Sequence, residues 1–191
     1  MAIAPSRDEA RVDARRVRLF LKRGGVLAYP TESCYGLGCD PRNATAVKCL
    51  LRLKRRGAAK GLILIAAHPR QLRPFLAALS PALARRMHAA WPGPHTWLAP
   101  ASRDCPAWLR GGHDAVAVRV TAHGGAARLC ELAGMALVST SANLSGGKPA
   151  KTAAECRRLF GRRVLVMPGH IGVRRRPSTI QDLASGAFIR R

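Results

Sequence analysis

Short apolar runs alternate along the chain with segments whose apolar residues recur at helical spacing. The apolar runs predict buried strands at residues 26–29, 62–65, 96–99, 115–120, 135–138 and 164–167. Helical spacing and capping residues predict helices that begin near Ser6, Asn43 or Asp40, His68, Ser80, Gly125 and Thr152. Their predicted last residues lie before Gly24 and near Arg56, Leu79, Ala90, Ala133 and Phe160. Residues 178–180 and 187–189 flank a turn and predict a hairpin. Strands that alternate with helices predict an α/β fold, with a mixed sheet in one domain over residues 1–191.

The segment at residues 29–65 places a small-residue loop before a cluster of cations. Residues 30–40 follow a predicted strand and contain small and hydroxyl residues, so their composition predicts a loop. Gly36 and Gly38 allow that backbone to approach a ligand closely. Loop amides that face fixed positive charge are a typical anion site.

The cations of this segment are Lys54, Arg56 and Lys60. Gly57 is the predicted C-cap of the helix that carries the first of them. Lys54 and Arg56 are two residues apart, so their side chains converge only if the helix ends at about Arg56. We expect both side chains to be partly exposed. Cations also stabilise a helix C-terminus without any ligand, which is the alternative explanation of the cluster.

The composition favours a soluble cytoplasmic protein. The chain has 191 residues, 48% of them hydrophobic, and no apolar run near the roughly 20 residues that span a bilayer. The N-terminal residues lack the continuous apolar core of a signal peptide. The formal charge of +23 favours polyanionic partners, or it reflects an arginine-rich composition. Aromatic residues make up only 5%, which argues against a base-stacking surface.

Cysteine and histidine positions indicate no metal site. The six cysteines include no Cys-x-x-Cys pair, and no histidine lies at zinc-finger spacing from them. We expect buried free thiols, with a nucleophilic Cys34 as the alternative. Ten carboxylates make an all-protein metal cage improbable, whereas Mg²⁺ held by substrate phosphates is compatible with them. P-loop, dinucleotide-fingerprint and Gly-x-Ser-x-Gly motifs are absent from the sequence.

Two further segments carry candidate ligand-binding residues. Arg119 is a cation within the apolar run 115–120, so it lies either at a sheet edge or in a pocket. The hydroxyl-rich residues 139–143 follow a strand, where ligand contacts and ordinary turns are both common. The cations and polar side chains that suit a phosphorylated or carboxylated ligand are Lys54, Arg56, Lys60, Arg119, Thr31, Ser33, Ser139, Thr140, Ser141, Asn143 and Ser178. Catalysis with such groups relies on positioning and charge stabilisation.

These segments resemble the YrdC/TsaC family, the L-threonylcarbamoyladenylate synthases. The resemblance covers nearly the whole chain, which would be a short bacterial form. Its Lys-x-Arg and Ser-x-Asn motifs correspond to Lys54 with Arg56 and Ser141 with Asn143. Other similar blocks are Tyr-Pro-Thr-Glu-Ser at 29–33, Trp-Pro-Gly-Pro at 91–94, Ala-Val-Arg-Val at 117–120 and Pro-Ser-Thr-Ile at 177–180. Either short motif alone is weak, whereas both in order with these blocks are highly specific.

The resemblance implies a twisted α/β sheet with an open basic cavity and a nucleotidyltransferase activity. The expected reaction forms threonylcarbamoyl-AMP and pyrophosphate from ATP, bicarbonate and L-threonine, for the threonylcarbamoyladenosine modification of tRNA. Mg²⁺ is expected as a phosphate-bound ion that enters with ATP. The expected partners are downstream tRNA threonylcarbamoyl-transfer proteins of the TsaB, TsaD and TsaE type, with tRNA or double-stranded RNA as a candidate partner and no membrane.

The resemblance also implies roles for single residues. Lys54 and Arg56 would be catalytic. The implied ATP-binding residues are Lys54, Arg56, Lys60, Thr140, Ser141, Asn143 and Arg190. The implied threonine-binding residues are Thr31, Arg119, Ser139 and Ser178.

Two departures from the family pattern and two alternatives remain. Longer relatives have a histidine where this chain has Ile65, and Arg174, Arg175 and Arg176 are more basic than the pattern requires. One alternative is a non-enzymatic RNA-binding factor, favoured by the charge. The other is carbamoyl transfer from a different donor, as in related domains of hydrogenase maturation proteins.

Overall fold

A computed structural model describes residues 14–57, 59 and 61–191 of the chain. The predicted capping box at Ser6 and the cation Lys60 lie outside the described residues. The helices are α1 Ala14–Lys22, α2 Ala44–Lys54, α3 Pro81–Ala89, α4 Ala107–Arg110, α5 Gly124–Ala133 and α6 Ala153–Phe160. The strands are β1 Leu27–Pro30, β2 Tyr35–Gly38, β3 Ile63–Ala66, β4 His95–Pro100, β5 Ala115–Val120, β6 Leu137–Ser141, β7 Leu165–Val166, β8 Thr179–Asp182 and β9 Phe188–Arg190.

These strands form one mixed sheet in the order β7-β1-β2-β6-β3-β5-β4-β8-β9. The predicted mixed α/β architecture and the closing β8–β9 hairpin are therefore confirmed. Strand β6 joins the two halves of the sheet, because Ser139 pairs with β3 whereas Thr140 and Ser141 pair with β2. The hydroxyl-rich segment thus lies at the centre of the sheet.

Helices cover both faces of the sheet because the strand residues alternate between two apolar cores. Leu27 and Tyr29 of β1 pack in the core that includes α1 and α5. Val26 and Ala28 pack on the opposite face, in the core that includes α2, α3 and α6. This period of two residues is the ordinary geometry of a strand, and it fixes which side chains line each face.

Helix α2 begins and ends close to the predicted positions. Asn43 is its N-cap, and the side-chain oxygen accepts a hydrogen bond from the Ala46 amide. The prediction of Gly57 as the C-cap is wrong: Arg55 holds that position in the left-handed region, with φ of 52°. The C-cap therefore lies two residues before Gly57, and the chain leaves the helix immediately after Lys54.

Three predicted segments differ from the structure. Residues 30–40 are not all loop, because β2 forms there and pairs with β1 and β6. Residues 139–141 are not loop either, since they continue β6 and stay in the ladder. The predicted helix over 68–79 is two single 3₁₀ turns, Pro69–Gln71 and Arg73–Phe75, because each proline lacks the amide needed for a continuous helix.

The predicted caps of α3 and α6 and the predicted free cysteines are confirmed. Ser80 and Thr152 cap α3 and α6 through bonds from Leu83 and Glu155 amides. All six cysteines are free, five of them buried and Cys49 half-buried. Among the described residues, no helix combines the length and apolar character needed to cross a membrane.

Candidate functional site

A cavity of about 1130 Å³ lies over the sheet, on the face that also carries α1 and α5. Its walls come from seven strands, from the loop that precedes β8 and from other connecting segments that include residues 31–34, 109–114 and 149–151. Its described lining cations are Arg56, Arg110, Arg119, Lys151, Arg174, Arg175 and Arg190. Its described carboxylates are Glu32, Asp114 and Asp182. Seven cations against three carboxylates make this a site for an anion.

The hydroxyl wall of the cavity consists of Ser139, Thr140 and Ser141 on β6. The Thr140 hydroxyl accepts a long hydrogen bond of 3.4 Å from Arg56 Nη1, so its own proton is available for a ligand. The Ser141 hydroxyl donates to Asn143 Oδ1 over 2.6 Å, which leaves its lone pairs facing the cavity. The two neighbouring hydroxyls therefore offer a ligand one donor and one acceptor.

Arg56 lines the cavity next to β6, and both Nη groups of its guanidinium make hydrogen bonds. Nη2 donates to the Gly61 carbonyl over 2.9 Å and Nη1 contacts Thr140. Its Nε is buried and has no hydrogen-bond partner among the described residues. The arginine is therefore held in place, and the second N–H of each Nη group remains as donor capacity for an anion.

Lys54, in contrast, is not one of the described residues that line the cavity. The expectation that it is partly exposed is wrong, because only 2% of the residue is accessible. Its ammonium donates to the Ser141 carbonyl, to the Asn143 carbonyl over 2.9 Å and to Asn143 Oδ1 over 3.1 Å. Burial, together with the charge of Arg56, lowers the pKa of Lys54 to about 8.

Asn143 is also used entirely within the protein. Its side-chain amide donates to the carbonyls of Leu144 and Gly147 over 2.7 and 2.8 Å. Its oxygen accepts from both Lys54 and Ser141. Of the two short motifs, Arg56 and Ser141 thus face the cavity, whereas Lys54 and Asn143 bond to each other behind it.

Arg119 lines the cavity, as the pocket alternative predicts, and is paired with Glu32. Its Nη1 lies 2.9 Å from Glu32 Oε2, and the side chains are 9% and 13% exposed. Glu32 Oε1 also accepts from the Thr121 hydroxyl over 2.7 Å. Burial alone would raise the pKa of Glu32, but the Arg119 charge and the Thr121 hydrogen bond outweigh it and hold this pKa below its ordinary value. Only one N–H of Arg119 Nη1 is used in this pair, so the Nη groups retain donors beyond it, whereas Nε is buried without a described partner.

Sequence reasoning missed the role of Glu32. Glu32 lies within the Tyr-Pro-Thr-Glu-Ser block at residues 29–33, in a chain with only ten carboxylates. A cation inside an apolar strand, such as Arg119, requires a partner when it is buried. The need of a buried Arg119 for a charged partner was the signal in the sequence, but it does not identify which carboxylate is that partner.

The structure brings Ser178 and Arg190 together at the far side of the cavity. Arg190 donates from Nε and Nη2 to the Ser178 carbonyl over 3.0 and 2.8 Å, and Nη2 also reaches its hydroxyl. Thr96 donates to the same hydroxyl over 2.9 Å. Thr31 also lines the cavity, but its hydroxyl donates to the Cys34 carbonyl over 2.7 Å.

Backbone hydrogen bonds hold the basic loop before β8 next to the Arg119–Glu32 pair. The amides of Gly172 and Arg174 donate to the carbonyls of Thr31 and Glu32 over 2.9 and 3.1 Å. A side chain at Gly172 would lie 2.8 Å from the Glu32 carbonyl oxygen, so glycine permits this approach. Arg174 and Arg175 thereby become part of the cavity wall.

The lining carboxylates do not assemble into a metal site. No group of three or more His, Cys, Asp or Glu side chains in the described part of the chain is arranged to hold a metal. Glu32 is occupied by Arg119, and Asp182 Oδ1 accepts both the amide and the hydroxyl of Ser185. A cation that accompanies an anionic ligand would therefore depend on the ligand's own oxygens.

The sequence is similar to curated bacterial proteins over its full length. It is 60% identical to a Thiobacillus denitrificans protein named threonylcarbamoyl-AMP synthase, over 100% of both chains. It is 62% identical to the Methylobacillus flagellatus protein of the same name, over 93% of this chain and 98% of that one.

Solved structures show the same fold. P. abyssi Sua5 complexed with L-threonine aligns with a TM-score of 0.80 and 31% identity over 93% of this chain. This chain spans about half the length of that protein, 54% of it. E. coli YciO aligns with a TM-score of 0.79 at 23% identity, over 93% of this chain and 89% of that one.

One family profile, described as "Telomere recombination" (Sua5/YciO/YrdC), matches residues 19–191. With the relatives above, it confirms the family that the Lys-x-Arg and Ser-x-Asn motifs indicate: the chain belongs to the Sua5/YciO/YrdC family.

Proposed function

We propose that this chain is a threonylcarbamoyl-AMP synthase, a nucleotidyltransferase of tRNA modification. The observation that carries the proposal is the cationic cavity in which Arg56 contacts the Thr140 hydroxyl and which Arg119 also lines. The cavity is large enough for a nucleotide and an amino acid together. The full-length similarity to proteins of that name supports the same activity.

The reaction has two bond-forming steps. The neutral amine of L-threonine adds to the carbon of bicarbonate, and water leaves to give an N-carboxylate. An oxygen of that carboxylate attacks the α-phosphorus of ATP, and the bond from this phosphorus to the bridging oxygen breaks. Pyrophosphate leaves with the electron pair, and the product is the mixed anhydride threonylcarbamoyl-AMP.

The phosphate end of the site is assigned to the wall that contains Arg56. Charge develops on the leaving pyrophosphate, and a fixed guanidinium stabilises it without reorganisation. Arg56 supports this role because two contacts fix its orientation and each Nη group keeps one further N–H donor. Thr140 and Ser141 would contact the nucleotide beside it. The roles of Lys60 and Arg190 at the nucleotide remain predictions.

The threonine end is assigned to the wall that contains Arg119. The amino-acid carboxylate would take the donors that Glu32 leaves unused on the guanidinium, since arginine binds carboxylates through paired N–H groups. Thr31, Ser139 and Ser178 lie on the lining of the same cavity and would contact the rest of the amino acid. Glu32 orients Arg119, because its carboxylate is fixed by Thr121 from the other side.

Mg²⁺ is proposed as part of the nucleotide substrate rather than as a resident ion. The lining carboxylates are engaged with Arg119 and Ser185 or lie exposed, and Mg²⁺ readily keeps waters and binds through phosphates. In this proposal the downstream partners are cytoplasmic proteins of the TsaB, TsaD and TsaE type, which transfer the threonylcarbamoyl group to tRNA.

The product itself provides the test. Purified protein incubated with ATP, L-threonine and isotope-labelled bicarbonate is expected to form an adduct whose mass equals threonylcarbamoyl-AMP, with the label in its carbonyl carbon. An Arg119→Met variant should lose L-threonine saturation at concentrations that saturate the wild type. An unlabelled adduct, or none, would reject the proposal.

A further inference from the structure

The Lys-x-Arg and Ser-x-Asn motifs contain two residues that do not face the cavity. Lys54 and Asn143 lie behind the wall that Arg56 and Ser141 form. Among the described residues, the hydrogen bonds of these two side chains go to each other and to the turn at residues 141–147. What they do for the reaction must therefore pass through that turn.

Lys54 holds this turn from two directions. Its ammonium has three N–H donors, and the carbonyls of Ser141 and Asn143 and the side-chain oxygen of Asn143 accept all three. Its backbone carbonyl accepts the Ser145 amide over 2.8 Å. No N–H remains for a phosphate group, and only 2% of the residue is accessible.

The turn that Lys54 holds carries the cavity hydroxyls. The Ser141 carbonyl accepts hydrogen bonds from the Lys54 ammonium and from the backbone amide of Asn143. Asn143 Oδ1 accepts hydrogen bonds from Lys54 and from the Ser141 hydroxyl. The Ser141 hydroxyl therefore depends on Asn143 for its direction, and Asn143 depends on Lys54. Without the ammonium, three partly buried oxygens would lose a charged donor, which costs free energy where water does not replace it.

We infer that Lys54 is a positioning residue that acts through the Ser141–Asn143 turn, and not a ligand of the ATP phosphates. This deepens the proposed function and rests on it only in naming ATP as the ligand. Arg56 then remains the phosphate contact of its motif, and Ser141 the ligand contact of the other. Each motif supplies one residue to the cavity lining and one residue that holds the Ser141–Asn143 turn behind it.

Hydrogen exchange of residues 141–147 is the first test, because it needs no ligand. Lys54→Met removes the ammonium and keeps the side-chain length, and is expected to speed amide exchange in this segment while β3 and β5 stay protected. Lys48→Met is the matched control, since Lys48 is an exposed lysine on the same helix. Unchanged exchange in Lys54→Met would overturn the inference whatever the protein catalyses.

ATP binding by calorimetry is the second test, and it distinguishes a positioning role from a direct contact. Lys54→Met and Asn143→Ala should each weaken ATP binding by about tenfold, the scale of one lost hydrogen bond to a charged group. Because both act through one turn, the double variant should be about as weak as the weaker single variant. Arg56→Met combined with Asn143→Ala should instead multiply the two losses. Multiplied losses in the Lys54–Asn143 pair would overturn the inference.

Asn143→Ala keeps the inference testable if Lys54→Met does not fold. Asn143 carries no charge, so its replacement does not change the charge of the site. If Asn143→Ala keeps the wild-type ATP affinity and the wild-type amide exchange of residues 141–147, the inference is overturned. Steady-state kinetics add a further readout: both variants should raise the KM for ATP and leave the KM for L-threonine within about twofold, whereas a collapsed site would raise both. A protein that binds ATP as described but releases no pyrophosphate would reject the proposed function and leave this inference intact.

Discussion

At the residue scale, the site depends on a few buried charged groups whose partners lie far away in the chain. The place of Arg119 in an apolar strand predicts either a sheet edge or a pocket, and the structure shows the pocket. Glu32 could not, because its role follows from a contact 87 positions away. The burial of Lys54 was likewise hidden, since a lysine at a helix end is normally solvated and its three acceptors come from a distant turn.

The ion pair between Glu32 and Arg119 predicts a stability that depends on pH. The pKa of Glu32 is lowered in the fold, so its stabilising contribution is present above the ordinary glutamate pKa and is lost as the pH falls through the lowered value. Glu32→Gln should reduce the free energy of unfolding by about 3 kcal/mol near neutral pH, because Arg119 is left without its buried partner. The difference from the wild type should shrink in acid, as measured by urea denaturation.

Glu131→Gln is the matched control for this experiment. Glu131 is a half-exposed carboxylate on α5 that pairs with His68 and Arg128 at the surface. Its loss should change the free energy of unfolding by less than about 1 kcal/mol. A Glu32→Gln difference that stays constant across the acid range would contradict the assigned pKa shift.

The geometry of Arg56 predicts that lysine cannot replace it. Its guanidinium spans the Gly61 carbonyl and the Thr140 hydroxyl, and an ammonium cannot reach both while facing a phosphate. Arg56→Lys should lower kcat/KM for ATP by about tenfold or more, the scale of one lost charged hydrogen bond. The exposed Arg52→Lys on the same helix is the control, and equal activity in the two variants would remove Arg56 from the site.

At the element scale, the end of α2 and the strands β2 and β6 determine the site. The sequence predicts the start and the buried face of α2 well, because Asn43 and the apolar spacing are local signals, whereas the following glycine is not its C-cap. Strand β2 was missed because glycine is unfavourable in strands unless another backbone approaches closely. Here it does: a side-chain carbon at Gly38 would lie 2.5 Å from the Val138 carbonyl oxygen. That tertiary contact is not visible in the local pattern.

The left-handed C-cap of α2 leads to a prediction about stability. Arg55 has a positive φ that costs a non-glycine residue free energy. Arg55→Gly should therefore raise the free energy of unfolding by about 0.5–1 kcal/mol, as measured by chemical denaturation. Arg52→Gly, inside the same helix, should lower it by about 1 kcal/mol. Destabilisation by both substitutions would contradict the assigned helix end.

At the scale of the whole molecule, the fold places two walls of one cavity on strands from both halves of the sheet. The alternation of strands and helices predicts the mixed α/β class, but not the order of nine strands, because crossovers are set by packing rather than by local pattern. The +23 charge is explained only in part by the cavity, since most cations lie outside its lining. An RNA-binding role for the remaining charge stays a prediction, with steep salt dependence as its sign.

The most direct test of the central claim is pyrophosphate release by the purified wild-type protein with each substrate omitted in turn. The proposed function predicts release when ATP, L-threonine and bicarbonate are all present, and only background release when either L-threonine or bicarbonate is left out. Carbon-dioxide-free buffer is required for the bicarbonate omission. Release that ignores either omission, or no release with all three substrates, would contradict the account.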